Sequence, residues 1–159
     1  RSGTWRCRRF SFWRKNLILI VALLTCFVAS WADNERKISF KELPGEAKVF
    51  LKENFGGEKI LWAHEEYEYT HDKKHYEVHL SDGTEIEFDK MGVWKEIDCK
   101  FKPLPKNIIP KKIQKFLSET YPDTKSVKIE RDLYGYEVKL SNGRELVFDD
   151  NGDFIRFDE

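Results

Sequence analysis

Apolar residues recur at intervals of three and four positions in two separate segments of the chain, and this spacing predicts two amphipathic helices. The stripe residues are Ala47, Phe50, Leu51 and Phe55 in the first segment, and Ile113, Phe116, Leu117 and Tyr121 in the second. Pro44 and Pro110 come just before the stripes, and proline is tolerated in the first turn of a helix. Gly56-Gly57 and Pro122 follow the stripes and predict the helix ends.

Apolar and polar residues alternate in the segments after each predicted helix, which indicates antiparallel strands joined by hairpins. Asp82-Gly83 is a strong signal for a hairpin turn. A three-residue loop over 81–83 places Val78 opposite Ile86 on one face of the sheet. A two-residue loop would place Val78 opposite Glu87 and divide the apolar residues between the two faces. The alternation therefore predicts the three-residue loop.

The second half of the chain repeats the first. Leu80-Ser81-Asp82-Gly83 matches Leu140-Ser141-Asn142-Gly143 sixty residues later, while the helix stripes match at an offset of 66. The change of offset places about six extra residues inside segment 65–75, and such an insertion indicates a hairpin loop. The chain is therefore predicted to be α+β, with two tandem α-β-β-β-β repeats over 33–99 and 107–159 and a linker over 100–106. We expect the repeats to form one antiparallel sheet with both helices packed on one face, so that the other face is open.

Residues 1–32 have the order of a secretory signal peptide. Basic residues precede the apolar run 17–28, and Ser30 and Ala32 provide small side chains at positions −3 and −1 of a cut before Asp33. The run is shorter than the roughly 20 residues that a membrane-spanning helix needs. An uncleaved anchor and a lipoprotein attached through Cys26 are the alternatives. We expect a periplasmic or secreted chain that has no membrane association after cleavage.

Charge is divided unevenly along the chain, and this excludes one class of partner. Residues 1–32 carry six basic and no acidic residues, which leaves 22 basic against 28 acidic residues in the remainder. A net-acidic body lacks the basic footprint that nucleic-acid binding requires. Cys99 is the single cysteine after the predicted cleavage site, so no internal disulfide framework is expected. The sequence has no glycine-rich phosphate loop, nucleophile elbow, CxxC or HExxH motif, and we predict neither an enzyme nor a cofactor.

The repeated motif resembles a known family. Its parts are Leu-Pro, Phe-Leu, Tyr-Glu-Val-x-Leu-x-(Asp/Asn)-Gly-x-Glu and Phe-Asp-x-x-Gly, present in both copies over about residues 38–159. This pattern is similar to the PepSY-like domains of secreted Gram-negative proteins that are described as β-lactamase-inhibitor-like. The resemblance implies tandem α/β repeats in one curved antiparallel sheet, whose open face and protruding hairpin grip another protein. It also implies an inhibitor or modulator of a secreted peptidase or other enzyme.

The differences between the copies indicate a candidate docking surface in the first copy. On the predicted strand faces Leu61 and Ala63 point inward, and Trp62 points outward. Large aromatic residues are enriched among the anchors of protein interfaces. The candidate partner-binding residues, which extend into the predicted loop 67–74, are Trp62, His64, Tyr67, Tyr69, His75 and His79. The expected partner is an unidentified secreted or periplasmic protein; the alternative is that Trp62 packs beneath the loop as part of the core.

His75, Glu77 and His79 alternate along one predicted strand and therefore share a face. Two imidazoles and a carboxylate are a ligand set that zinc accepts. This gives a second hypothesis, a small-molecule or metal-binding periplasmic protein that uses the histidine face of the first copy. In the second copy the counterparts of Glu77 and His79 are Glu137 and Lys139, an ordinary charged surface, so we favour a solvated face without a metal. The leading hypothesis is a non-catalytic binding protein.

Overall fold

The computed structural model describes residues 35–68 and 73–158. The predicted signal peptide with its cleavage site, and Tyr69 of the candidate docking surface, lie outside the described residues. The described strands are β1 (Glu35–Ile38), β2 (Ile60–Glu68), β3 (Lys73–Leu80), β4 (Glu85–Asp89), β5 (Trp94–Asp98), β6 (Ser126–Arg131), β7 (Gly135–Leu140), β8 (Glu145–Asp149) and β9 (Phe154–Asp158). The described α-helices are α1 (Gly45–Phe55) and α2 (Lys111–Thr120). Neither helix is long and apolar enough to cross a membrane.

The nine described strands form one antiparallel sheet in chain order, each beside the strand that precedes it. The predicted α+β class with a single antiparallel sheet is confirmed. The sheet continues from the first half of the chain to the second because β5 pairs with β6, with Ile97 opposite Ile129. The three-residue hairpin loop is also confirmed, since Val78 pairs with Ile86 and Gly83 adopts a φ of 87°.

Both helices pack their apolar stripes against the same face of the sheet. The fully buried strand residues beneath them are Val78, Ile86, Phe88, Ile97, Ile129, Val138, Leu146 and Phe148. Phe50 of α1 meets Phe88 edge to face, with ring centroids 5.8 Å apart, and Phe116 of α2 meets Phe148 in the same way at 5.5 Å. Burial of one such large apolar side chain contributes about 1.5–3 kcal/mol, so this helix-covered face is the main source of stability.

The edge strand β1 is an element that the sequence did not predict. Glu35, Arg36 and Lys37 are exposed charged residues, and only Ile38 is buried, so the strand has no apolar alternation. A carboxylate holds the chain where it leaves β1: the Ser39 N–H donates to Glu42 Oε2 at 2.8 Å. This hydrogen bond, together with the Arg36 guanidinium, lowers the pKa of Glu42 to about 2. The first strand is thus fixed by local polar contacts more than by burial.

Two local expectations for β2 and the hairpin that follows it are wrong. Tyr67 and Lys73 belong to the paired strands β2 and β3 and are therefore not part of the loop that was expected over 67–74. Leu61 does not face the core, because a β-bulge between Ile60 and Trp62 turns it outward and leaves it 63% exposed. A bulge adds one unpaired residue to a strand and shifts the alternation of faces, which a sequence pattern alone does not reveal.

Candidate docking surface on the open sheet face

The face of the sheet opposite the helices carries a row of five glutamates on five adjacent strands. The glutamate row consists of Glu77, Glu87, Glu96, Glu130 and Glu137, on β3 to β7 in that order. Each member lies directly opposite the next in the register of the sheet. Neighbouring strands are about 4.8 Å apart, so the row extends over about 19 Å. Its position on the open face follows from alternation, since each member is next in sequence to a buried core residue.

Like charges in the glutamate row act on one another. Burial and the carboxylates of Glu96 and Glu77 raise the pKa of Glu87 above its ordinary value of 4.5. Burial, Asp158 and Glu130 raise the pKa of Glu137 in the same direction. Like charges directly opposite each other in a sheet are destabilising, so folding does not explain the row.

A neighbouring row on the same face carries less net charge, because two lysines lie between its two pairs of acids. Its members, in strand order, are Glu85, Asp98, Lys128, Lys139, Glu145 and Asp158. Lys128 Nζ lies 2.8 Å from Glu96 Oε1, which links the two rows. Lys100 Nζ contacts Glu85 Oε2 at 2.5 Å and Asp98 Oδ2 at 3.0 Å. Burial alone would lower the pKa of Lys128, but its hydrogen bond to Glu96 outweighs that effect and raises it. The negative potential of the open face is therefore concentrated along the glutamate row.

An aromatic cluster of Trp62, His64 and His79 lies at one end of the open face. The Trp62 ring stacks on His79 with centroids 3.3 Å apart, and the His64 centroid is 4.5 Å from that of Trp62. The regular register of β2 and β3 produces this arrangement, because it pairs Trp62 with His79 and Ala63 with Val78. The two imidazoles also bond carboxylates: His79 Nε2 lies 2.8 Å from Glu77 Oε1, and His64 Nδ1 lies 3.3 Å from Glu35 Oε2. Trp62 is half-buried, so the cluster offers the edge of a rigid aromatic platform to solvent.

The structure does not bring the other predicted docking residues to the aromatic cluster. His75 is on the open face, but its Nε2 lies 2.5 Å from Glu66 Oε2, farther along the strands. Tyr67 pairs with Lys74 and lies four positions after the buried Ala63 in the same strand. The two residues therefore share a face, so Tyr67 is on the helix side of the sheet, where it is 40% exposed. The predicted surface is therefore divided between two faces.

Two groups of metal-ligating atoms occur among the described residues. Glu77, His79 and Glu85 form the first, and Glu137, Glu145 and Asp158 form the second; within each group one ligand atom per residue lies within 4.8 Å of the others. His75 is in neither group. In the first group the two carboxylates flank opposite ring nitrogens of His79, at 2.8 Å and 3.5 Å, so a single metal ion would reach the ring from one side only.

The sequence pattern did not predict the glutamate row or the exposed tip of a second hairpin. Each glutamate has an alternation signal within its own strand, but nothing in the sequence shows that the five align. Leu133 and Tyr134, at the tip between β6 and β7, are 89% and 81% exposed. Asp132 Oδ1 accepts hydrogen bonds from the N–H groups of Tyr134 and Gly135, at 2.7 Å and 2.9 Å, and orders the tip.

Cys99 is not arranged for nucleophilic chemistry. It is 4% exposed, and burial raises the pKa of its thiol. A buried neutral thiol is inert, whereas reactive cysteines are accessible thiolates. What the open face can do chemically is attract cationic groups and present stacked aromatic rings.

Comparison with known proteins finds similar solved structures from Bacteroides that are described as putative periplasmic proteins. A family model described as "Putative beta-lactamase-inhibitor-like, PepSY-like" matches residues 74–156. One solved structure, a "putative periplasmic protein" from Bacteroides vulgatus, is 40% identical with a TM-score of 0.76, and the match covers 80% of this chain and 99% of that one. Another from the same organism, of unknown function, is 36% identical with a TM-score of 0.76, covering 79% and 99%.

A third solved structure, from Bacteroides thetaiotaomicron, is described as a "putative calcium-regulated periplasmic protein". It is 42% identical with a TM-score of 0.75, and the match covers 79% of this chain and 97% of that one. No curated protein matches the sequence. The family match spans just over half of the chain and the structural matches span nearly the whole of each relative. The chain therefore belongs to the PepSY-like, β-lactamase-inhibitor-like family.

Proposed function

We propose that this protein is a non-catalytic periplasmic binding protein, built from two tandem copies of one module, that captures or modulates another secreted protein. The capturing surface is the open face of the sheet, and its partner carries a basic surface. The observation that carries the proposal is the glutamate row, which aligns five like charges at a cost to folding. Residues that oppose stability yet recur at one position on five adjacent strands are best explained by an external partner of opposite charge.

The aromatic cluster gives this surface an anchor beside its charge. The Trp62 ring stacks on His79 and also contacts the His64 ring, so little side-chain freedom is lost when a partner covers it. Complementary charge steers association and selects partners, while buried aromatic anchors contribute more of the affinity. The exposed Leu133-Tyr134 tip joins β6 to β7, the last two strands of the glutamate row, so we assign it to the rim of the same surface.

Removal of charge from the glutamate row tests the proposal. The triple substitution Glu87→Gln, Glu130→Gln and Glu137→Gln should reduce the partner captured from periplasmic extract about tenfold or more, because charge complementarity controls the rate of association. The matched control is Glu46→Gln, Glu53→Gln and Glu119→Gln, which removes the same number of charges from exposed sites on the helices. The bound protein is identified by mass spectrometry at low and high salt.

The proposal requires that one captured protein is absent with the first triple variant and at high salt. The same protein must remain bound to the control variant. Trp62→Ala should also lose the captured protein, while the free energy of unfolding falls by only about 1–3 kcal/mol, the range for its two ring contacts. Equal capture by both triple variants would contradict the proposal. So would a large loss of stability in Trp62→Ala, since Trp62 would then serve the core.

A second candidate function is metal binding, and the two groups of ligating atoms favour it. Zinc accepts imidazole and carboxylate ligands such as His79 and Glu77. Calcium prefers oxygen ligands, which Glu137, Glu145 and Asp158 supply, and one relative is described as calcium-regulated. Lys139 Nζ competes at that group, since it lies 2.5 Å from Glu145 Oε1.

Calorimetric titration distinguishes the two metals. Zinc binding should disappear in His79→Ala, and calcium binding should disappear in Asp158→Asn, while each variant keeps the other metal. The absence of binding heat with both ions would exclude this second function and leave the first unaffected.

A further inference from the structure

Strand β9 leaves one edge of the sheet without a partner strand among the described residues. Its bulky apolar residues Ile155 and Phe157 are 55% and 50% exposed. An uncovered edge presents unpaired backbone N–H and C=O groups and is a template for another strand. An apolar edge strand of this kind therefore has both the hydrogen-bonding groups and the side chains of an interface.

The fold contains a covered counterpart of this edge. In the first half, Ile97 of β5 lies opposite Ile86, as Phe157 of β9 lies opposite Leu146 in the second half. Both strands also carry a register shift at the same place. The outer edge of β5 is covered by β6, and Ile97 is fully buried, whereas Phe157 is half exposed.

The β5–β6 pair shows what chemistry fits such an edge. An apolar residue, Ile129, lies opposite Ile97, and a lysine, Lys128, lies opposite Asp98. Asp158 holds the position in β9 that Asp98 holds in β5. A strand that covers β9 should therefore place an apolar residue opposite Phe157 and a base opposite Asp158.

A second copy of β9 meets both requirements. In an antiparallel pairing centred on Phe157, the two phenylalanines face each other and Arg156 of each copy faces Asp158 of the other. Opposite charges that face each other across strands are stabilising. Centring the pair on Arg156 would instead set two guanidinium groups opposite each other. We propose that this protein self-associates through β9, edge to edge, into a two-fold symmetric dimer with a continuous sheet.

The other edge of the sheet does not offer the same contact. Glu35, Arg36 and Lys37 of β1 are all exposed and charged, a feature that protects edge strands from pairing. A contact between β9 and β1 of another copy would also repeat without closing and would form filaments, whereas the β9–β9 contact closes. The β9 pairing is short, so it should bury less than about 1,200 Å² and be weak and concentration-dependent.

Charge reversal tests the pairing by sedimentation of the chain over a concentration series. The apparent mass of the unmodified chain should rise with concentration. Arg156→Asp alone and Asp158→Arg alone should each abolish that rise, because like charges then face each other. The double substitution Arg156→Asp and Asp158→Arg should restore it, since the reversed pair is again complementary. Lys115→Asp, an equal charge change at an exposed site on α2, is the matched control and should leave it unchanged.

Arg156 and Asp158 also form an ion pair within one chain, and the double variant restores that pair too. Circular dichroism and urea denaturation of each single variant therefore verify that the fold is retained, so that a lost rise reports lost pairing. A mass that stays monomeric at every concentration would overturn the proposal. A rise that persists in both single variants would also overturn it, because association would then use another surface. Capture of a partner on the open face is independent of this result, since β9 pairing uses the edge of the sheet.

Discussion

Glu87 is the second member of the glutamate row, between Glu77 on β3 and Glu96 on β5. Its raised pKa means that the folded chain holds the Glu87 proton more tightly than the unfolded chain does. Ionised Glu87 therefore destabilises the fold above its folded pKa. This penalty disappears as the pH falls toward the unfolded value of 4.5.

Glu87→Gln should accordingly increase the free energy of unfolding at pH 7 and have no effect near pH 4. Because the Glu87 side chain remains partly exposed, solvent screens its repulsion, and the gain should be about 0.2–1 kcal/mol, the range for one cross-strand charge pair. Urea denaturation at the two pH values measures it. Glu53→Gln on α1 is the control and should show no such pH-dependent gain. A loss of stability at pH 7 would mean that Glu87 makes a favourable contact in the folded chain. The glutamate row would then be explained by folding, without a partner.

Two turns between strands have the same backbone conformation but differ in whether they pack against a helix. Gly83 and Gly92 have nearly the same φ, 87° and 85°. A Cβ on Gly83 would meet no atom within 4 Å, whereas a Cβ on Gly92 would lie 2.7 Å from Pro44 Cβ and 2.8 Å from the Ala47 backbone nitrogen. The β4–β5 turn therefore packs directly under the start of α1 and sets the distance between helix and sheet.

Gly92→Ala should destabilise the protein substantially more than Gly83→Ala. Both substitutions place alanine in the left-handed region, which costs about 1–2 kcal/mol. Only Gly92→Ala also forces the turn away from α1, so we expect its total loss to be at least about twice that of Gly83→Ala. The free energies of unfolding from urea denaturation provide the comparison. Equal losses in the free energy of unfolding would show that the β4–β5 turn does not pack tightly against α1.

At the scale of the whole molecule, one face of the sheet forms the core and the other forms the candidate docking surface. The helix-covered face holds the buried residues and supplies the stability, while the open face holds the aligned glutamates and the aromatic cluster. Because successive side chains of a strand alternate between faces, a substitution on the open face leaves the core unchanged. This separation is what allows the capture experiment to change charge without changing the fold.

The sequence by itself determined the features that depend on near neighbours. Helix stripes follow the 3.6-residue period, strands follow the period of two, and the Asp82-Gly83 turn selects a loop length through the register of Val78 and Ile86. These rules need no knowledge of distant residues. They were sufficient for the α+β class, the single antiparallel sheet and the family resemblance.

The features that join distant segments, the glutamate row and the aromatic cluster, were decided only by the tertiary structure. The glutamate row exists because β5 pairs with β6, which brings Glu96 opposite Glu130 across the linker and α2. The aromatic cluster exists because the register of β2 and β3 places Trp62 opposite His79, and a bulge just before Trp62 exposes Leu61. Strand register and bulges depend on the packing and hydrogen bonding of the whole sheet, so the candidate residues were visible in the sequence while their arrangement was not.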